Sequence, residues 1–220
     1  MISQTEENYL KAIFKIAEKE DKSVSTNALA AAMQTSAASV TDMLKRLAEK
    51  NLIDYEKYRG VQLTGEGTRL ATGLIRKHRL WEVFLVDKLG FAWDEVHELA
   101  EQLEHVQGDA LVGRLDAFLG QPEYDPHGDP IPDEHGRWTF RKRALLADLP
   151  AGTKGVVTGV QDHSTAFLQY LGQLGLTLGA RVELIERIPY DQSVRVRCAE
   201  AVEFTLSEKV SKNLFITVNE

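Results

Sequence analysis

Cysteine is almost missing from this chain: Cys198 is the single one in 220 residues. No internal disulfide can form, and no thiolate-rich zinc site can be built. Long apolar runs are missing as well. No stretch approaches the roughly 20 residues of a membrane-spanning helix, and the polar opening Ser3-Gln4-Thr5-Glu6-Glu7 lacks the basic start and apolar centre of a signal peptide. The expectation is a cytoplasmic protein with no membrane partner. Internal repeats and low-complexity tracts are also absent. An excess of positive charge is lacking too: the net charge is -7, which argues at first against nucleic acid, since DNA affinity comes largely from cationic contacts to phosphate. The distribution softens that objection. Residues 1–73 hold ten Lys and Arg against ten Asp and Glu, residues 74–147 nine against fourteen, and residues 148–220 seven against nine. The acid excess belongs to the middle third, and a bound cation there would neutralise part of it.

What is present is an ordinary globular composition, 43% hydrophobic and 27% charged, long enough for two or three small domains. Tyr9, Leu10, Ile13, Phe14 and Ile16 or Ala17 form the apolar stripe of a helix over about Glu6–Lys19. Ser25 or Thr26 can cap a short helix through Met33. After the polar break Gln34-Thr35-Ser36, a third helix over about Ala37–Lys50 is lined by Val40, Met43, Leu44 and Leu47. Short helix, tight turn and longer helix make a helix-turn-helix. Leu52-Ile53-Asp54-Tyr55-Glu56 and Val61-Gln62-Leu63 then read as two strands about Lys57-Tyr58-Arg59-Gly60, a wing. A long helix over about Glu66–Leu89 and another over about Trp93–Gln107 follow, and Leu111, Leu115, Phe118 and Leu119 mark a third, short one. Four of the six prolines fall between about Gly120 and Arg141, an irregular connector. From about Leu145 the texture changes to valine-rich alternation broken by glycine, as in Arg181-Val182-Glu183-Leu184-Ile185, a small β-rich domain.

Two helices carry residues suited to a metal. On a continuous helix, His97, Glu101, Glu104 and His105 would span an arc of roughly 100°, and His78 and Glu82 are one turn apart on the preceding helix. A solvated position explains any one of them. Together, two imidazoles and two carboxylates on one face, with a second His/Glu pair nearby, are acceptors that repel one another unless a cation sits among them.

The start of the third helix suits DNA. Ser36, Ala37, Ala38, Ser39, Thr41 and Asp42 are small or polar where a helix would approach base edges, and Lys45, Arg46, Lys57 and Arg59 can hold phosphate. A plain capped helix with a solvated basic edge would look similar, but the wing directly behind it favours DNA. One such unit reads few base pairs, so a homodimer on a roughly palindromic double-stranded operator is expected.

The chain resembles the diphtheria-toxin-repressor family of metal-dependent transcriptional regulators, with its iron- and manganese-responsive branches. The resemblance covers nearly the whole length and rests on Thr5-Glu6-Glu7-Asn8-Tyr9-Leu10, Ser39-Val40-Thr41, Arg76-Lys77-His78-Arg79-Leu80 with Glu82, the run from Val96-His97 to Glu104-His105-Val106, and Gly128-Asp129-Pro130-Ile131-Pro132. It implies a mainly α fold with a β-rich C-terminal part: a winged helix-turn-helix over 1–73, a helical metal-binding and dimerisation domain with its connector over 74–141, and an SH3-like, FeoA-like domain over 142–220. It further implies a primary metal site of Asn8, Glu101, Glu104 and His105, and an ancillary site of His78, Glu82 and His97 completed by His163 or Asp162. Where iron-type members place cysteine this chain has Glu101, a hard oxygen ligand that favours Mn(II), with Fe(II) as the alternative. Asn8 offers a neutral amide oxygen, a weaker ligand than a carboxylate.

Two other classes compete with a metal-dependent regulator that is not an enzyme. Clustered His and Glu can hold a catalytic di-metal centre, although no separate nucleophile or base motif accompanies them. A DNA-binding protein that ignores metal, with a merely structural cluster, is the other.

Overall fold

The computed structural model describes residues 2–20, 23–56, 59–198 and 202–218. The chain divides into two compact units. One comprises the residues up to His78 with Glu101–Asp109 and Pro132–Trp138; the other comprises Arg79–Ala100, Ala110–Ile131 and the residues from Thr139 on.

The first unit begins with helix α1 (Gln4–Glu20). Its start is a capping box: Ser3 Oγ accepts from the Glu6 amide at 3.3 Å, and Glu6 Oε2 accepts from the Ser3 amide at 2.8 Å. Helix α2 (Thr26–Ala32) is capped by Ser25, and α3 (Ala37–Glu49) by Ser36, whose Oγ accepts from the Ser39 amide at 3.1 Å. Strands β1 (Ile53–Glu56) and β2 (Gly60–Leu63) form the antiparallel wing, Ile53 opposite Leu63 and Glu56 opposite Gly60. Leu10, Ile13, Leu29, Val40, Leu44 and Leu47 are fully buried with Val24 and Val61 in one core. Burying each such leucine is worth about 1.5–3 kcal/mol, which fixes α3 against α1. The connector also packs here: Trp138 stacks on Phe14 with ring centroids 5.9 Å apart, and Arg76 Nη1 donates to the Pro132 carbonyl at 2.7 Å.

Helix α4 (Gly65–Leu89) ends at Gly90, whose φ of +73° suits glycine at a helix stop. Helix α5 covers only Val96–Leu103, shorter than the periodicity predicts. Asp94 and Glu95 precede it, and Glu104 and His105 lie in the turn after it. Helix α6 (Asp109–Phe118) packs Leu115 into a small core with Leu80, Val83 and Ile131, edged by Trp81, Phe84, Val112 and Leu119.

The second unit also holds an antiparallel sheet of β3 (Ala144–Leu145), β4 (Lys154–Val160), β5 (Arg181–Arg187), β6 (Val194–Cys198), β7 (Glu203–Leu206) and β8 (Leu214–Val218). The strand order is β3-β8-β4-β5-β6-β7. Inward residues alternate as a half-buried sheet requires, Val182 and Leu184 on β5 and Val194 and Val196 on β6. Helix α7 (Thr165–Gln173), which the valine-rich texture did not predict, lays Phe167, Leu168 and Leu171 on the same core; a short helix α8 (Glu208–Ser211) adds Val210. The mainly α chain with a β-rich C-terminal part is as expected. Among the described residues, no helix is long and apolar enough to cross a membrane.

Gly67 in the first turn of α4 shows how closely the wing is held. A Cβ there would lie 1.9 Å from the Leu52 carbonyl oxygen, whereas one on Gly73 of the same helix meets nothing within 4 Å. Replacing glycine by alanine in a helix normally stabilises by about 0.5–1 kcal/mol. Chemical denaturation should show that gain for Gly73→Ala and a loss of at least about 1 kcal/mol for Gly67→Ala. Equal effects would contradict the packing of the Leu52 carbonyl, just ahead of β1, against α4.

Candidate metal centres and DNA-reading face

Within the first unit, α1, the end of α5 and the turn after it bring charged groups into a buried cluster. Glu104 is wholly buried, and its Oε2 lies 2.6 Å from His78 Nδ1. Lys11 of α1 donates to both Glu104 oxygens, at 2.6 and 2.9 Å, and to Glu101 Oε1 at 2.7 Å. His105 Nδ1 meets Glu7 Oε2 at 2.6 Å, and its Nε2 is 3.8 Å from Glu104 Oε1. Asn8, between Glu7 and Lys11 in the chain, buries an amide oxygen with no hydrogen-bond partner. Such an orphan costs about 1–3 kcal/mol. A divalent cation bound to it would remove that cost, and the donors present (an amide oxygen, carboxylates and imidazole) are the hard and borderline types that Mn(II) and Fe(II) accept. The residues fit a metal.

One helical face accounts for this cluster only in part. Glu101 is on α5, but Glu104 and His105 follow its last residue, so their convergence comes from the turn. Lys11 and Glu7 were not singled out from sequence, although Lys11 stands three residues after Asn8 and four after Glu7 and so neighbours each of them on α1.

The second unit holds another buried group. Glu82, Asp125 and His127 offer ligand atoms all within 4.8 Å of one another. His127 Nδ1 is 3.5 Å from Glu82 Oε2, and its Nε2 meets the Trp93 carbonyl at 2.8 Å. His97, with 46% of its side chain exposed, reaches Glu82 Oε1 at 3.4 Å. His163 stacks on the His127 ring with centroids 5.0 Å apart and lies 3.7 Å from Asp129 Oδ2. Asp162 accepts from the Ser164 amide at 2.9 Å, where it steadies the entry to α7. Sequence reasoning missed Asp125 and His127. Both stand beside the Gly128–Pro132 motif, in a connector without periodicity; the run Asp125-Pro126-His127-Gly128-Asp129, dense in ligand types, was the available signal. Asp125 Oδ1 accepts from the His127 and Asp129 amides, both at 2.9 Å, which makes the connector a tight, self-bonded loop.

Charge in this group is unusual. Burial drives the Asp125 carboxyl up, and the neighbouring Glu82 and Asp129 charges add to it against the pull of Arg79 and His127, leaving it at about 7. Burial alone would push the His127 imidazole down, but its bond to Glu82, the charges of Glu82 and Asp125, and the Trp93 carbonyl outweigh that and hold it at about 9. For His163, burial prevails and its imidazole is pushed down.

The DNA-reading candidates sit on open surface. Ser36, Ala37, Ala38, Ser39 and Asp42 are exposed at the start of α3, while Thr41 is half-buried and donates to the Ala37 carbonyl at 2.8 Å. Lys45 and Arg46 are exposed further along, Lys45 paired with Asp42 at 3.3 Å; on the wing Arg59 pairs with Glu56 at 3.0 Å. Exposed pairs of this kind are weak and open to exchange for phosphate. Lys57 lies outside the described residues.

Three family models match in succession: the iron-dependent repressor N-terminal DNA-binding domain over residues 1–61, the iron-dependent repressor metal-binding and dimerisation domain over 64–133, and the FeoA domain over 144–218. The iron-dependent repressor IdeR of Mycobacterium leprae is 34% identical over 190 residues, 81% of this chain and 82% of that one. The chain belongs to the diphtheria-toxin-repressor family. Its members are metal-dependent, DNA-binding transcriptional repressors, which removes the metalloenzyme alternative. The diphtheria toxin repressor of Corynebacterium jeikeium matches at 34% over 128 residues, about half the length of that relative at 53%. Among solved structures, a manganese-dependent transcriptional repressor in complex with manganese superposes with a TM-score of 0.86 at 34% identity, covering 97% of this chain and 99% of that one. The repressor ScaR with bound Zn2+ gives 0.74 at 31%, covering 96% and 98%. Manganese and iron regulators both stand among the relatives of this repressor, so kinship leaves the metal open.

The raised pKa values set a pH dependence for the metal-free repressor. Both groups bind protons more tightly folded than unfolded, so each contribution is present at low pH and lost as pH rises: for Asp125 between its unfolded value near 4 and about 7, for His127 between about 6.5 and about 9. NMR titration of chelator-treated protein should place the His127 ring midpoint near 9 and lower it in Glu82→Gln. A midpoint near 6.5 in both proteins would refute the buried pairing.

Proposed function

We propose that this chain is a Mn(II)-responsive repressor of metal-uptake genes that acts in the cytoplasm as a homodimer on a palindromic operator. Residues 1–73 read DNA, residues 74–141 bind metal and dimerise, and residues 142–220 form an SH3-like domain. Asn8, Glu101, Glu104 and His105 are the primary ligands. Glu82, His97, Asp125 and His127 form the second site, with His163 and Asp162 at its edge and His78 one turn before Glu82 on α4. The observation that carries this reading is the unpartnered, buried Asn8 Oδ1 on the helix whose Tyr9, Leu10 and Ile13 pack in one core with Val40, Leu44 and Leu47 of α3.

A divalent ion held there would supply an electrostatic tie between α1 and the turn after α5. The rest is done by the chain. Leu10 and Ile13 pass any restriction of α1 to α3, so the exposed Ser36–Ser39 edge spends less ordering free energy on meeting base edges. Thr41 and Asp42 flank that edge, and Lys45, Arg46, Lys57 and Arg59 steady it on phosphate. Support for dimerisation comes from the apolar side chains that α6 and its surroundings leave exposed, with Phe118 at 65% and Leu111 at 41%. Glu101 in place of a soft thiolate favours Mn(II). Fe(II) is the second reading, because the Mycobacterium relative is an iron-dependent repressor.

A coupling of about 1–3 kcal/mol, roughly 5–150-fold in affinity, suffices for such a switch. On a duplex selected from random sequence, Mn(II) should tighten binding by that factor under reducing conditions, and Mg(II) should not. Glu104→Gln and His105→Ala should each remove the gain. Parallel arms with Fe(II), Zn(II) and Co(II) separate the two metal readings. Equal affinity with and without any of these ions would overturn the proposal, and a full metal response in both variants would make the cluster merely structural.

A further inference from the structure

Lys11 is an odd tenant for a metal site. Only 7% of its side chain is exposed, and its ammonium is surrounded by ligand-type atoms: Glu104 Oε2 at 2.6 Å, Glu101 Oε1 at 2.7 Å, Glu104 Oε1 at 2.9 Å and His78 Nδ1 at 3.4 Å. That is a cation's environment, filled by a cation fixed to the chain. His105 makes the cluster's second half: its Nε2 is 3.8 Å from Glu104 Oε1, an oxygen that Lys11 also contacts, and its Nδ1 is held by Glu7. The buried orphan oxygen of Asn8 belongs to the same helix segment as Glu7.

The geometry points to Lys11 as a tethered counter-cation that occupies the Glu101 and His78 half of the cluster and limits it to one divalent ion on the His105 half. This rests on the reading of the cluster as a metal site. Charge balance gives the reason. Glu7, Glu101 and Glu104 bring three carboxylates, whose formal charges one ammonium with one divalent ion balances. A second divalent ion beside Lys11 would leave two uncompensated positive charges in a buried site, where charge is costly. Like charges a few ångströms apart also repel strongly in a poorly solvated setting. Lys11 therefore sets how many ions the cluster holds, and keeps Glu104 and Glu101 compensated when no metal is bound.

The test counts Mn(II) on the full-length protein by equilibrium dialysis with elemental analysis, and reads the bound ions by electron paramagnetic resonance. Lys11→Met should bind one Mn(II) more per chain than the parent, with the spectrum of an exchange-coupled pair. Lys11→Arg, which keeps the charge, should bind the parent number with isolated-ion spectra. If Lys11→Met does not fold by circular dichroism, Lys11→Gln makes the same comparison. The parent count and an isolated-ion spectrum in the folded neutral variant would overturn the role of Lys11. A separate outcome concerns the underlying reading: if Glu104→Gln and His105→Ala do not lower the parent's count, it is the metal site itself that fails, not the assignment of Lys11.

Discussion

A carboxylate with no access to water governs this molecule. Glu104 is fully buried, and leaving such a charge unpaired would cost several kcal/mol. Its compensation comes from the chain: the Lys11 ammonium, the His78 imidazole, and His105 at the edge of the contact distance. That demand draws α1 to the turn after α5. Because α1 shares its core with α3, whatever sits beside Glu104 is linked through Leu10, Ile13, Leu44 and Leu47 to the helix proposed to read DNA.

The second buried group obeys the same rule with different means. Glu82 is offset by a protonated His127, Asp125 by Arg79 and by the two amides that its Oδ1 receives. The connector that supplies Asp125 and His127 is irregular because those backbone amides turn inward to the carboxylate. Arg79 completes the arrangement by donating to the Pro130 carbonyl and pairing with Asp129. His163, stacked on His127, brings the β-rich part of the chain to the edge of this group.

Much of the fold was legible in the sequence because periodicity and caps are local. The stripe Tyr9, Leu10, Ile13 fixed α1, Ser25 and Ser36 marked the starts of α2 and α3, and the alternation in Val182 to Leu184 and Val194 to Val196 announced strands. The candidate sites were legible only by residue type. Glu104 and His105 come together with Glu7 and Lys11 through a turn and a long-range contact, neither of which a helical wheel contains. His78, grouped from sequence with Glu82, has its Nδ1 on Glu104. Asp125 and His127 lie in a segment with no period to read, and a single lysine such as Lys11 on an amphipathic helix looks like any solvated cation. Helix α7 escaped notice because its apolar residues continue the texture of the neighbouring strands.

The central claim is that the cluster around Glu104 is a divalent-metal site joining α1 to the turn after α5. Anomalous diffraction at the manganese edge, from crystals of the full-length protein grown with Mn(II), tests it most directly. The account predicts a peak coordinated by Asn8 Oδ1, Glu104 and His105, with Lys11 still beside Glu101. Manganese peaks elsewhere in the molecule, with none at Glu104 and His105, would contradict it.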